Sequence, residues 1–265
     1  MEKTMVYEDK RIAYSVHGNG KPVVLVHGFG EDSTVWRNQI SFLQDNYRLI
    51  VPDLPGTGKS GLIRDMSVEG MADALAAMLD GEQIDECVMI GHSMGGYIML
   101  AFVEKFPEKI SSFGLFHSSA FADSEEKKET RRKGIEAIKE KGPAPFLQAA
   151  TPKLFSPRTA SEMPGLIAEQ VALADSFSAE ALISYYEAMM NRPDRTDLLR
   201  NTNVPVLFIM GKYDTAVPLE DGLKQCHFPG KSSIHILQQS GHMGMLEEAG
   251  LANTHLQSFL AEVQP

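Results

Sequence analysis

The sequence predicts an α/β protein: a mostly parallel central sheet with helices on both faces. Three observations predict it. Short apolar runs at residues 23–27, 48–52, 87–91, 113–117, 204–210 and 233–237 alternate with segments of helical spacing. Strands alternating with helices imply parallel pairing, because a parallel return needs a crossover. The chain has 265 residues, 43% of them hydrophobic, enough for one large domain with a full core. Finally, Gly91-His92-Ser93-Met94-Gly95 lies between an apolar run and a helical stretch, a strand–sharp turn–helix context.

The elements follow in order. Residues 5–7 and 11–16 alternate like a hairpin, and 36–44 read as a helix between the strands at 23–27 and 48–52. Ser67 is a good N-cap for a helix whose Val68, Met71, Ala72, Leu75, Met78 and Leu79 share one face. The helix over 96–106 stops before Pro107. Residues 120–200 break the rhythm. They open with the charged run 123–133, whose opposite charges three and four apart suit a solvated helix. Prolines at 143, 145, 152, 157 and 164 keep the next helices short. A helix over 179–190 carries Leu182, Ile183, Tyr185, Tyr186, Met189 and Met190. Apolar residues at this spacing usually pack against a core, and the alternative is that they line a pocket.

The pattern G-x-S-x-G is a nucleophile-elbow signal: the turn is crowded, and a Cβ at either glycine would strike neighbouring backbone. A serine so placed needs a base to take its proton, normally a histidine held by a carboxylate, in the order Ser, Asp or Glu, His. Asp214 follows the strand at 204–210, and His242 follows the strand at 233–237. In a parallel sheet these strand ends share one edge, where ligands bind. Ser93, Asp214 and His242 are therefore expected to converge as nucleophile, acid and base. The Gly-rich loop His27-Gly28-Phe29-Gly30 and the elbow offer the backbone N–H groups of Phe29 and Met94 as an oxyanion hole.

These residues resemble the α/β-hydrolase-fold serine hydrolases of the small esterase- and lactonase-like kind. The matching segments are His27-Gly28-Phe29-Gly30, Asp53-Leu54-Pro55-Gly56-Thr57-Gly58-Lys59-Ser60, Gly91-His92-Ser93-Met94-Gly95-Gly96, Gly211-Lys212-Tyr213-Asp214, and Gly241-His242 followed by Leu246-Glu247. Thr57 and Met243 stand where an aromatic residue (or, at the first, histidine) is frequent. The resemblance implies a core domain of residues 1–119 and 201–265, with residues 120–200 as a helical cap over the site. It also implies a short-chain carboxylic ester or lactone as substrate, cleaved through an acyl-enzyme without a cofactor. Alternatives on the same fold are a thioesterase, a carbon–carbon bond hydrolase and a receptor-like protein that binds ligand with slow turnover. Carbon–carbon hydrolases usually carry extra Arg and Trp near the pocket, and the one Trp here, Trp36, falls in the first helix region.

Asp123 follows the strand ending at His117 and is a rival to Asp214 as the acid, but the glycine-flanked turn after a long apolar strand favours Asp214. His117 closes a strand at the same edge and is the one rival histidine that could reach the pocket, as a substrate contact, though His242 is the expected base. His27 and His92 are expected to bond locally, and His227 and His235 carry no motif. Gly56-Thr57-Gly58-Lys59-Ser60 looks like the tail of a P-loop, but the position needing its first glycine is Asp53. No His, Cys and carboxylate group has metal-ligand spacing.

A net charge of −10 argues against nucleic acid or an anionic membrane as partner. The N-terminus lacks the apolar core of a secretory signal, no apolar run reaches a membrane span, and two cysteines make no disulfide framework. The expectations are a cytoplasmic monomer or homodimer acting on a small molecule.

Overall fold

Strand β1 (Glu2–Tyr7) and strand β2 (Lys10–His17) form an antiparallel hairpin closed by Glu8 and Asp9. Both turn residues are left-handed, with φ 48° and 63°, the pair a type I′ turn requires. The structure, a computed structural model, describes residues 1–263. Strand β1 begins three residues earlier than its apolar alternation predicts. Glu2, Lys3 and Thr4 lie on a sheet edge, where polar side chains meet water and leave no apolar signal.

The remaining elements alternate. They run β3 (Lys21–Val26), α1 (Arg37–Leu43), β4 (Tyr47–Pro52), α2 (Val68–Gly81), β5 (Cys87–His92), α3 (Met94–Lys105) and β6 (Ile110–Phe116). Helices α4 (Glu125–Lys141), α5 (Pro143–Ala150), α6 (Pro157–Glu162), α7 (Pro164–Ala172), α8 (Ala179–Asn191) and α9 (Thr196–Asn201) follow without a strand. Then come β7 (Val206–Gly211), α10 (Leu219–Gln225), β8 (Ser232–Leu237), α11 (Gly244–Glu247) and α12 (Ala249–Val263). The N-cap expected at Ser67 is present, its Oγ accepting from the Gly70 N–H at 3.0 Å.

The sheet has the order β1-β2-β4-β3-β5-β6-β7-β8. Strands β4, β3, β5, β6, β7 and β8 pair parallel, while β2 pairs antiparallel with both β1 and β4. Strand β4 lies on one side of β3 and β5 on the other, so the order reverses there, where open sheets leave a crevice at their carboxyl ends.

Both faces are covered. On one, Met71, Leu75 and Leu79 of α2 join Ile98 and Phe102 of α3. On the other, Trp36 and Leu43 join Leu256, Phe259 and Leu260 of α12. The helices between β6 and β7 carry a smaller apolar cluster of their own, centred on Ile138, Leu147, Phe177 and Leu182. Tyr185 of α8 ties them to the sheet layer, its hydroxyl donating to the Pro55 carbonyl at 2.6 Å. Among the described residues, no helix is long and apolar enough to cross a membrane.

Candidate active site

Ser93 sits between β5 and α3 with φ 50° and ψ −117°, a conformation costing about 1–3 kcal/mol for a non-glycine residue. The turn is closed by three bonds: the Ser93 N–H donates to the Phe116 carbonyl, and its own carbonyl accepts from the Gly96 N–H and the Ser118 hydroxyl. The flanking glycines are sterically required. A Cβ at Gly91 would lie 2.5 Å from the Gly95 carbonyl oxygen, and one at Gly95 would lie 2.4 Å from that of Val26.

Asp214 follows β7, its own side chain buried while Lys212, Tyr213, Thr215 and Ala216 beside it are exposed. Its Oδ1 accepts from the N–H groups of Ala216 and Val217 at 2.9 and 2.8 Å. Its Oδ2 accepts from two imidazoles, His242 Nδ1 at 2.7 Å and His117 Nδ1 at 3.1 Å. Burial alone would raise this carboxyl. The His242 ring and the bonds from both histidines outweigh that and hold it well below the usual carboxylate range.

His242 is buried, and its N–H donates to the Leu154 carbonyl. Glu247 fixes the loop around it, Oε1 accepting from Gly241 and Met243 and Oε2 from Ser156 and the Thr159 hydroxyl. Desolvation disfavours the charged ring, but Asp214, with Glu31 and Glu247 beyond it, outweighs burial and raises the His242 pKa above 6.5. With Nδ1–H donated to Asp214, the neutral ring keeps Nε2 as its basic nitrogen.

Ser93, His242, Phe29 and Tyr97 line one cavity of about 430 Å³, within the range of small-molecule sites. Tyr186 and Met189 of α8 line it too, whereas Leu182 and Tyr185 are fully buried in packing. The predicted apolar face of this helix thus divides between lining and core. The Phe29 and Met94 N–H groups enter no turn, loop or cap hydrogen bond among the described residues, so both remain available as donors.

Several expectations are corrected. His117 does not reach the cavity: it lies behind Asp214, its side chain inaccessible, its Nε2 without a partner among the described residues. A Cβ at Gly244 would come within 2.3 Å of that nitrogen, which accounts for the glycine. Burial pushes the His117 pKa down to about 4 despite Asp214, so the ring is neutral. Asp123 is no rival acid, since Arg131 and Arg192 take both its oxygens. His92 does not bond locally. Its Nε2–H donates to the His242 carbonyl at 3.0 Å, and its Nδ1 lies 2.9 Å from Glu31 Oε2. Glu31 is the residue the motifs missed. Its only signal is a carboxylate ending a Gly-rich loop, and burial hides it until His92 and the Gly28 N–H hold it charged. The charged run on α4 is not wholly a solvated face, because Lys127, Thr130 and Arg131 line the cavity.

The P-loop-like segment is a structural turn. The Asp53 carboxylate accepts from the Ser33 and Lys59 N–H groups, occupying donors a phosphate would need, and a Cβ at Gly58 would strike that carboxylate. Trp36 is buried against Phe116 and His92, away from the cavity lining. His117, Asp214 and His242 bring potential ligand atoms within 4.8 Å of one another, a grouping no spacing foretold. Both Nδ1 atoms are spent on Asp214 Oδ2, so a cation there would have to break those bonds.

A family model described as alpha/beta hydrolase fold matches residues 21–156. The chain is 31% identical to a thermophilic esterase from Thermogutta terrifontis, described in malate-bound form; the match covers 97% of this chain and 95% of that one, with a TM-score of 0.92. It is 25% identical over 248 residues to 3-oxoadipate enol-lactonase 2 of Acinetobacter baylyi, covering 92% and 91% of the two chains. It is 27% identical over 275 residues to the 2-hydroxy-6-oxononadienedioate/2-hydroxy-6-oxononatrienedioate hydrolase of Burkholderia vietnamiensis, covering 94% and 91%.

Proposed function

The chain belongs to the α/β hydrolase fold family, and on that premise we propose that it is a serine hydrolase cleaving a small carboxylic ester or lactone. The observation carrying this reading is the strained Ser93 opening, with His242, onto one cavity while Asp214 holds the far nitrogen of that histidine. The esterase and lactonase names of its relatives favour an ester carbonyl.

The chemistry follows from the hydrogen bonds. Ser93 Oγ attacks the carbonyl carbon as His242 Nε2 takes the hydroxyl proton. Asp214 stays ionised, fixes the Nδ1–H tautomer and stabilises the imidazolium. The Phe29 and Met94 N–H groups receive the oxyanion, each such donor worth roughly 2.7–4 kcal/mol in the transition state. The imidazolium returns its proton to the leaving alkoxide, and the acyl group stays on Ser93. Water, deprotonated by His242, then releases the acid. Residues 120–200 act as a cap that restricts water at the cavity, with Tyr186 and Met189 shaping the acyl or alcohol pocket. The core is residues 1–119 and 201–265. Two free, buried cysteines suit a reducing cytoplasm.

The test is hydrolysis of a chain-length series of p-nitrophenyl esters by wild type and Ser93→Ala. Turnover abolished in the variant is expected, and equal turnover would overturn the assignment. A folded wild type that reacts with a fluorophosphonate yet cleaves no ester would redirect the search to thioesters and to a slow, ligand-retaining protein.

A further inference from the structure

The cavity wall supplied by α4 is positively charged in a chain whose net charge is −10. Two cations share one carboxylate at two places beside it. Asp123, with a fully buried side chain, takes Arg131 Nε at 2.5 Å and Nη2 at 3.2 Å, and also Arg192 Nη1 at 2.9 Å. Asp221 takes Lys127 at 3.3 Å and Lys224 at 3.1 Å. Of the charged α4 side chains on the lining, Lys127 and Arg131 are cationic and Glu126 is anionic, which leaves that wall one positive charge.

Arg131 is the group that can use it. Arg192 is buried, spends Nη1 and Nη2 on the Met189 and Phe121 carbonyls, and lies 3.7 Å over the Tyr97 ring. Arg131 lines the cavity, with its Cζ 5.6 Å from the Tyr186 ring centroid, and its Nη1 has no partner among the described residues. Asp123 grips the other side of the guanidinium, so the fork is held in one orientation before any ligand arrives, and the ordering cost of binding is already met.

Resting on the hydrolase reading, we propose that the substrate is anionic: an ester or lactone bearing a free carboxylate remote from the scissile carbonyl, received by Arg131 Nη1. A charge-assisted bond in a partly desolvated cavity favours that carboxylate over an uncharged group of the same size. Thr130 and Lys127, on the same face of α4, border the position.

The experiment compares 4-nitrophenyl hydrogen adipate and suberate with their methyl esters, which are neutral and nearly isosteric. Wild type is expected to prefer the half-acids by about tenfold or more in kcat/KM, expressed mainly in KM. In Arg131→Met that ratio falls to near one, and in Arg131→Lys it recovers in part. A merely structural role would lower both esters by the same factor and leave the ratio intact. Equal rates for acid and methyl ester in wild type, or a ratio unmoved in Arg131→Met, overturn the proposal while leaving the hydrolase reading standing. If wild type cleaves neither ester of a pair, the ester-hydrolase reading is what fails. The carboxylate site is then judged by calorimetry on Ser93→Ala with monomethyl and dimethyl adipate. Tighter binding of the monoacid, lost in Ser93→Ala/Arg131→Met, upholds the site, and equal binding overturns it.

Discussion

His117 and Asp214 lie 97 residues apart, and His117 Nδ1–H donates to the same Oδ2 that receives His242. The carboxylate thus answers to two imidazoles, one lining the cavity and one sealed behind it. The sealed ring is neutral, its pKa down at about 4, so it orients Asp214 without competing for the proton of His242.

That neutrality predicts a pH-dependent stability. A histidine with a folded pKa near 4 and an unfolded pKa near 6.5 binds more protons when unfolded. Its contribution is intact above pH 6.5 and erodes as pH falls toward 4, by an amount on the order of 3 kcal/mol. His117→Asn keeps a donor near Nδ1 and suits the left-handed backbone there, φ 48°. Urea denaturation between pH 4 and 6.5 is expected to give a shallower pH dependence for this variant than for wild type. Parallel curves would contradict it.

Activity should also be lost as pH falls, through a different histidine. The proposed base must be neutral, and the carboxylates around it raise the His242 pKa above 6.5. The acidic limb of kcat/KM against pH should therefore have its midpoint above 6.5, rising with pH. A profile flat down to pH 4 would exclude His242 as the base.

Glu31 acts on that base through His92. Its charge helps raise the His242 pKa, and the His92 bridge holds the His242 carbonyl. Glu31→Gln should move the acidic limb to lower pH and cut kcat roughly ten- to a hundredfold through misplacement of the ring. An unchanged midpoint, read from the pH–rate profile, would show that the charge does not reach His242.

Ser93 carries a conformation suited to glycine. Ser93→Gly should be more stable than Ser93→Ala by about 1 kcal/mol, seen as a higher Tm, and both should fail to react with a fluorophosphonate. Equal melting would mean the turn is not strained as its dihedrals indicate.

Much of this was readable from the chain. The alternation of apolar runs and helical spacing determined the parallel sheet, because a strand buried on both faces leaves an unbroken apolar signature. Glycine, serine, aspartate and histidine just beyond strand ends marked one edge of that sheet, because local backbone sterics leave a trace in sequence. The edge strand β1 outruns its apolar signal because its first three residues, Glu2, Lys3 and Thr4, are polar. What only the tertiary structure decided is which distant polar groups meet. His117 turned out to back Asp214, Asp123 to clamp two arginines, Glu31 to reach His242 through His92, and Arg131 to face the cavity. No periodicity encodes such meetings. They arise when burial removes water and each charged or hydrogen-bonding group must find its partner wherever the fold has brought one.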